Sequence, residues 1–236
     1  MKEDSTVVEG ERSNRENVSA LDDVKCIWVA GMPRSGSMWA YNVIRRLLDC
    51  DGWEVMPKSV PLGEPQKDQC YENAVADTDP NRVWVLKTHR KISPELRKVR
   101  FINTQRDIRD ALMSYIRFMR CDFDTGLNVA AGMTSNCDHY GRFSGELIHR
   151  IDYRDILGRP SEVAEAMGGF FGIDAAPETV RRIVDDLTKE NVRKLIQKKE
   201  NEVRSRLDSG SQVRGTELIR NLDGTYRARD ESTGFQ

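Results

Sequence analysis

The feature of this chain that most constrains its fold is a short apolar run that ends in a loop bounded by two glycines. The run, residues 26–30, reads Cys-Ile-Trp-Val-Ala and is typical of a strand buried on both faces. The loop extends from Gly31 to Gly36, where a helix is predicted to begin and to continue to about Asp49 with its apolar side chains in one stripe. A strand, a tight loop and a helix in this order predict the first unit of an α/β fold.

The same alternation of strands and helices recurs further along the chain. Strand-like runs predict strands at 83–86, 99–104 and 147–153, and amphipathic patterns predict helices at 107–119 and 160–171. Residues 57–80 and 120–145 lack a period and are rich in turn formers, so we interpret them as irregular segments. The alternation predicts a single α/β domain whose central, mainly parallel sheet is flanked by helices.

The two ends of the chain differ in composition from its middle. Residues 1–22 are rich in Glu, Asp, Ser and Asn and are predicted to form a flexible tail, so that residues 23–236 make up the domain. Residues 178–207 combine dense charge with few apolar positions, which is typical of solvated helices, and the stretch from Ser209 has turn residues without a period. The N-terminus is not apolar and no run approaches the ~18 apolar residues of a membrane span, so we expect a cytoplasmic protein without a signal peptide.

Charge and cysteine content limit the possible partners. A formal net charge of −1 over 236 residues gives no general attraction to nucleic acid or to anionic membranes, so we expect neither as a partner. Five cysteines without a Cys-x-x-Cys pair predict neither a disulfide framework nor a zinc site, and Cys137 with His139 makes only a weak metal-binding pair. We therefore expect no bound metal, and the sequence predicts no particular oligomeric state.

The loop from Gly31 to Gly36 has the features of an anion-binding turn. Backbone N–H groups at the start of a helix point to one spot, and the helix dipole favours a negative charge there. Arg34 adds a permanent positive charge in the middle of the loop, and Ser35 and Ser37 offer hydroxyl donors. The loop is predicted to bind a phosphate-like group; the alternative interpretation is a Gly/Ser-rich turn with a solvent-facing Arg.

The residues after Gly36 differ from those of the nucleotide-binding P-loop. That motif needs Lys and then Ser or Thr at the positions that hold Ser37 and Met38 in this chain. Without a Lys for the outer phosphates and a hydroxyl for Mg²⁺, we expect a P-loop-like site that does not use metal-assisted chemistry. A metal-dependent nucleotide kinase or NTPase with a degenerate P-loop is the main rival interpretation.

The loop also resembles the 5′-phosphosulfate loop of the sulfotransferase family. That loop reads Pro-Arg-Ser-Gly-Ser/Thr-x-Trp in some members, and residues 33–39 here are Pro-Arg-Ser-Gly-Ser-Met-Trp. The resemblance implies that 3′-phosphoadenosine 5′-phosphosulfate (PAPS) is the co-substrate and that it is bound by Arg34, Ser35, Gly36, Ser37, Met38 and Trp39. It further implies that Arg34 contacts the sulfuryl group and the leaving phosphate, where it acts by its charge because Arg does not release a proton.

A second segment with the same resemblance implies the catalytic base. Residues 86–89, Leu-Lys-Thr-His, are similar to the family segment that closes a central strand. The resemblance implies that His89 accepts the proton of the acceptor group and that Lys87 stabilises charge on the sulfuryl oxygens. The Leu-Pro that usually follows is Arg90-Lys91 here, which leaves the path of the next loop open.

A third segment resembles the family motif that binds the 3′-phosphate. In that motif a strand ends in Arg and a Ser lies eight residues later in the next helix, and Arg106 and Ser114 keep this spacing. Tyr153 follows a strand in the position of a family Tyr that reaches the adenine side of the nucleotide. Arg214 and Gly215 partly match an Arg-Lys-Gly loop near the C-terminal end of the family domain, and the resemblance implies that they also contact the 3′-phosphate.

The resemblance covers roughly residues 26–172 and implies a PAPS-dependent sulfotransferase that transfers a sulfuryl group to a hydroxyl or amine without a metal. A sulfotransferase-like fold that has lost its chemistry and only binds a nucleotide is a further alternative. The two irregular segments, 57–80 and 120–145, are expected to flank the acceptor site. They contain both polar and apolar residues, so a small molecule or a carbohydrate is equally expected as the acceptor.

Overall fold

The computed structural model of the protein describes residues 21, 23–58, 63–194, 197–198, 201, 218–220 and 226–228. The strands in these ranges are β1 (Cys26–Gly31), β2 (Glu54–Met56), β3 (Arg82–Thr88), β4 (Val99–Gln105), β5 (Ile148–Asp152), β6 (Leu218–Arg220) and β7 (Tyr226–Ala228). The helices are α1 (Ser37–Cys50), α2 (Glu64–Ala76), α3 (Ile108–Met119), α4 (Phe123–Gly141), α5 (Tyr153–Gly158), α6 (Pro160–Phe170) and α7 (Pro177–Asp186).

The first five strands form one parallel sheet in the order β2-β3-β1-β4-β5. This confirms the predicted α/β domain with a parallel central sheet flanked by helices. β1 lies in the centre, between β3 on one side and β4 on the other, so the strand order reverses next to β1. In open α/β sheets, ligands bind at the carboxyl ends of the strands beside such a reversal.

Both faces of the sheet are covered, as the continuous apolar pattern of β1 predicts. Successive side chains of a strand point to opposite faces. Ile27 and Val29 pack into a core formed with α1, α6 and α7, whereas Trp28 and Ala30 pack into a second core with Ala74 of α2 and Tyr140 of α4. The sheet is therefore the middle of three layers. Because both of its faces are covered, it is accessible only along the edges formed by the ends of its strands.

Two segments that the sequence analysis interpreted as irregular contain long helices. Residues 120–145 contain the 19-residue helix α4, whose N-cap is Asp122; the Asp122 side chain accepts a hydrogen bond from the backbone N–H of Thr125. Residues 57–80 contain the 13-residue helix α2, which has Gly63 at its N-cap and Pro65 in its first turn. The interpretation of both segments as irregular was wrong. Packing, rather than intrinsic propensity, stabilises α4, which contains Gly and Asn but buries Met133 and Tyr140. α2 buries Ala74 and has Glu64 in its first turn, where the helix dipole favours a negative charge.

The structure differs from the sequence-based expectation near both ends of the chain. Leu21, which the composition assigned to the tail, is 1% exposed and packs in the first core; the other residues of the predicted tail lie outside the described part of the chain. In the charged C-terminal region, α7 buries Val180, Ile183 and Val184. β6 and β7 pair as an antiparallel ribbon that the sequence analysis did not predict. None of the described helices is long and apolar enough to cross a membrane.

Candidate active site

The predicted site residues gather at the carboxyl edge of the sheet. Arg34 follows β1, His89 follows β3, Arg106 follows β4 and Tyr153 follows β5. Because these four strands are adjacent and parallel, their ends lie side by side. Residues from four separate segments of the sequence are thereby brought to one edge of the sheet.

The phosphate loop has a backbone that few sequences can adopt. Gly36 has φ +89° in the left-handed region and caps α1, and its carbonyl accepts a hydrogen bond from the backbone N–H of Ala40. Arg34 also has a positive φ, of 66°, which is strained for a side-chain-bearing residue. The loop thus turns sharply enough to place its backbone N–H groups at the start of α1.

Ser35 holds this loop against β4. Its hydroxyl is fully buried, lies 2.6 Å from the carbonyl oxygen of Met32, to which it donates, and lies 2.6 Å from Oγ1 of Thr104. Gly31 makes this approach possible, because a Cβ at that position would lie 2.2 Å from Oγ1 of Thr104. The Ser35 hydroxyl is therefore engaged within the protein, and its predicted contact with a ligand stays a prediction.

The other residues of the loop motif are partly or wholly enclosed. Ser37 is 4% exposed in the first turn of α1, and Met38 and Trp39 are partly buried against the first core. Their side chains contribute packing, so any contact of these three residues with a nucleotide is a prediction. Arg214 and Gly215 lie outside the described residues.

Arg34 contacts Ser114 across the site. Its Nε lies 3.2 Å from Oγ of Ser114, to which it donates, and its guanidinium lies 4.2 Å from the centre of the Phe118 ring. Both partners are on α3, where residues four apart share a face. Burial lowers the pKa of Arg34, with the charge of Arg106 acting in the same direction and the Tyr153 hydroxyl opposing it.

Arg106 lies directly beside Arg34. Its Nη1 donates to the backbone carbonyl of Arg34 over 3.2 Å, and its guanidinium stacks 4.4 Å from the centre of the Tyr153 ring. Its Nε is buried without a hydrogen-bond partner among the described residues. Two neighbouring guanidinium groups with an unsatisfied buried donor have the chemistry of a phosphate-binding site. Arg106 and Ser114 are thus both brought to Arg34, and their contact with a 3′-phosphate stays a prediction.

The His89 ring is held at both nitrogens. Nδ1 lies 2.6 Å from the carbonyl oxygen of Gly31 and Nε2 lies 2.9 Å from Nζ of Lys87. A carbonyl only accepts hydrogen bonds, so Nδ1 carries the proton and the lone pair is on Nε2. Burial and the Lys87 charge lower the pKa of His89 to about 4, and burial and the Lys67 charge lower the pKa of Lys87 to about 8. His89 is therefore a neutral imidazole at pH 7, with its basic nitrogen facing an ammonium group.

A charged cluster at the start of α2 was missed by the sequence analysis. Glu64 pairs with Lys67 at 2.6 Å and with Arg90 at 2.5 Å, and Arg90 also contacts Asp68 at 2.5 Å. Oγ1 of Thr88, next to His89 in the sequence, lies 3.5 Å from Glu64. A Glu in the first turn of a helix was the available signal, but residues 57–80 had been interpreted as irregular.

No group of three or more metal-binding side chains occurs in the part of the chain that the structure describes. His139, half of the weak pair considered from the sequence, uses Nε2 to donate to the backbone carbonyl of Ile92 at 2.8 Å. Cys137 is partly buried and packs beside Met133 and other apolar residues of α3 and α4. His139 is therefore engaged in a hydrogen bond and Cys137 in apolar packing within the protein.

Comparisons with known proteins identify a family for this arrangement. The family model described as "Sulfotransferase domain" matches residues 25–225. Mouse sulfotransferase SULT7A1 complexed with PAP superposes with a TM-score of 0.54 at 16% identity, over 72% of this chain and 66% of that chain. Retinol dehydratase in complex with androsterone and inactive cofactor PAP gives 0.52 at 14% identity, over 71% and 65%. The chain thus spans slightly less than two thirds of these structures, with which it shares the fold, and no curated protein sequence matches it.

Proposed function

Because this chain belongs to the sulfotransferase domain family, we propose that it transfers a sulfuryl group from PAPS to a hydroxyl or amine of an acceptor. The observation that carries the proposal is the convergence of three separate segments at one sheet edge. Arg34 from the first segment touches Ser114 and Arg106 from the third, while His89 from the second bonds to the carbonyl of Gly31 at the start of the loop. This convergence supports a site in which an anion-binding group lies beside a proton acceptor.

The nucleotide end of the site is assigned to Arg106, Ser114 and Tyr153. The buried, unpartnered Nε of Arg106 supports a ligand with several acceptor oxygens, such as a 3′-phosphate. The Tyr153 ring, already stacked on Arg106, offers an aromatic face next to that position. PAPS supplies the sulfuryl group, and these residues bind and orient the nucleotide that carries it.

The chemical end of the site is assigned to His89, Lys87 and Arg34. Nε2 of His89 accepts the proton of the acceptor as its oxygen or nitrogen bonds to sulfur, while the bond between sulfur and the phosphate oxygen of PAPS breaks and the bisphosphate leaves. Lys87 and Arg34 stabilise negative charge on the sulfuryl and leaving phosphate oxygens, for which a preorganised donor is typically worth ~10²–10³ in rate. Since the Lys87 ammonium faces Nε2 in the free protein, it must turn from His89 towards the anion before the proton is transferred.

The acceptor is proposed to be a small molecule or a carbohydrate with a hydroxyl or amine. α2 and α4 flank the His89 side of the site and replace the irregular walls expected from the sequence. The charged residues at the start of α2 and the exposed Phe118 near Arg34 offer both polar and apolar contacts. One structural neighbour was crystallised with androsterone, and that acceptor class is included in the proposal.

The nucleotide assignment is tested by thermal stability with adenosine 3′,5′-bisphosphate, with and without EDTA, beside ATP with Mg²⁺. A ligand at ~1,000 times its dissociation constant adds about 4 kcal/mol, or roughly 8–16 °C for a domain of this size. We expect an EDTA-insensitive shift with the bisphosphate. A shift that requires ATP and Mg²⁺ would replace the proposal with a metal-dependent kinase or NTPase.

Arg106→Ala and Arg109→Ala provide a matched pair for this experiment. Arg109 lies three residues later, and its exposed guanidinium pairs only with Asp107 among the described residues. Arg106→Ala should abolish most of the bisphosphate shift, and Arg109→Ala should retain it. A separate experiment tests activity. His89→Ala should lose transfer to the acceptor while its bisphosphate shift is unchanged. If the wild type binds the bisphosphate but transfers no sulfuryl group in a broad acceptor screen, a nucleotide-binding module is indicated instead.

A further inference from the structure

The loop that carries His89 is held by one face of α4. Asn136, His139 and Tyr140 lie three and four residues apart and therefore share a helix face. The amide Nδ2 of Asn136 donates to the carbonyl of His89 at 2.8 Å, and the hydroxyl of Tyr140 donates to the carbonyl of Arg90 at 2.7 Å. Tyr140 also accepts from the backbone N–H of Ile92 at 3.0 Å.

This face fixes a loop that has little internal structure. His139 adds a bond to the carbonyl of Ile92, so that main-chain groups of residues 89, 90 and 92 are all bonded to α4. The loop begins with Arg90 and Lys91, whose side chains point to partners on α2 and α4 and provide no apolar anchor. The bonds from α4 therefore help to fix the main chain of His89 where it leaves β3.

Asn136 is the member of this face that bonds to His89 itself. It is 3% exposed, and its Oδ1 is buried without a hydrogen-bond partner among the described residues. A buried unsatisfied acceptor typically costs ~1–3 kcal/mol, so a half-satisfied amide is a poor choice for packing alone. Its distinctive contribution is the single bond to the His89 carbonyl.

We propose that Asn136 is a positioning residue for His89: by holding the His89 carbonyl, it sets the imidazole so that Nδ1 reaches the Gly31 carbonyl and Nε2 keeps the lone pair. The role in turnover rests on the proposed function, but the role in ring orientation does not. The main chain of His89 is fixed at one end of the residue and the ring at the other, over 2.8 Å and 2.6 Å. Loss of the first bond frees the main chain and lets the ring move away from Gly31.

The first test measures the imidazole directly in the protein without nucleotide. The chain contains three histidines, so their ¹⁵N resonances are readily assigned. In the wild type, His89 should be the Nδ1–H tautomer. Asn136→Leu, which fills the same space without a donor, should give a mixed tautomer with a titration closer to that of free histidine, while the facing charges of Lys87, Lys67 and Glu64 are unchanged.

A matched control lies on the same helix. The hydroxyl of Thr134 donates to the carbonyl of Ala130 at 3.1 Å, a bond within α4 that does not reach the loop. Thr134→Val should leave the His89 tautomer unchanged. If Asn136→Leu does not unfold cooperatively, Asn136→Ala serves in its place, and the wild-type spectrum is decisive in any case: an Nε2–H tautomer there would overturn the proposal.

The second test measures turnover. Asn136→Leu should lower kcat about 10- to 100-fold, as a misplacement of about 1 Å does, while bisphosphate binding changes less than twofold. A variant that keeps the wild-type tautomer and kcat would overturn the positioning role. An altered tautomer in a protein whose wild type transfers no sulfuryl group would support the positioning role and count against the proposed function, so the two failures are distinguishable.

Discussion

The close approach of β1 and β4 behind the phosphate loop leads to a quantitative prediction for Gly31→Ala. The added Cβ would lie 2.2 Å from Oγ1 and 2.8 Å from the carbonyl oxygen of Thr104, whereas ordinary contact begins at 3.4 Å. Both Thr104 atoms are held in the buried sheet, so the strands must separate by roughly 1 Å. Overpacking of this kind costs ~1–3 kcal/mol, and the strained bond between Ser35 and Thr104 adds about 1 kcal/mol.

The expected loss of about 2–4 kcal/mol corresponds to a fall in Tm of roughly 4–16 °C for a domain of this size. Thermal unfolding followed by circular dichroism without nucleotide measures it. Gly132→Ala is the matched control, because nothing lies within 4 Å of its added Cβ in α4, and removal of a helix glycine should raise stability by ~0.5–1 kcal/mol. A Gly31→Ala protein that melts within 1 °C of the wild type would refute the close-packing argument.

Three other predictions follow from the site. Ser35→Ala leaves the buried carbonyl of Met32 without its donor and the buried hydroxyl of Thr104 without its partner, and should cost ~1–3 kcal/mol, read from the urea midpoint; an unchanged midpoint would contradict the structural role of this hydroxyl. The pH profile of kcat/KM should be bell-shaped. Activity is lost as pH falls towards the lowered pKa of His89, about 4, because the base is protonated. Activity is also lost as pH rises through the lowered pKa of Lys87, about 8, because the ammonium charge is lost. Lys87→Arg should move only the alkaline limb upwards, and an alkaline limb that stays near 8 would exclude Lys87 as its source. Tyr153→Leu removes the ring beneath Arg106 and should weaken bisphosphate binding about 2- to 30-fold in calorimetry, with no change expected if the stacking is incidental.

The strand framework was predictable because its signal is local. The runs at 26–30 and 83–86 are apolar and the run at 99–104 contains Val, Phe and Ile; all three are short and followed by turn or helix signals, and each lies in a strand of the central sheet. The motif residues at the strand ends follow from that framework, since adjacent parallel strands bring their carboxyl ends together. Arg34, His89 and Arg106 meet for this reason.

The helix α4 was not predictable from local propensity. Gly126 lies in the segment that the sequence analysis interpreted as irregular, and it is required for packing, since a Cβ there would lie 2.6 Å from the Ile116 side chain of α3. Likewise, Asn136 contacts the main chain of His89 only through tertiary packing, and Glu64 contacts Arg90 in the same way. No pattern in the sequence near these residues reports a partner that lies tens of positions away.

The central position of β1 has a consequence for synthesis of the protein. Ile27 pairs with Val85 on one side and with Arg100 on the other, so both neighbours of the first strand are made long after it. All six residues of β1 are buried in the folded protein, and none of its partners exists until β3 and β4 have left the ribosome. Such non-local pairing is slow and leaves an apolar strand open to wrong partners meanwhile. A nascent chain that stops before β4 therefore exposes the strand that the finished sheet encloses most completely.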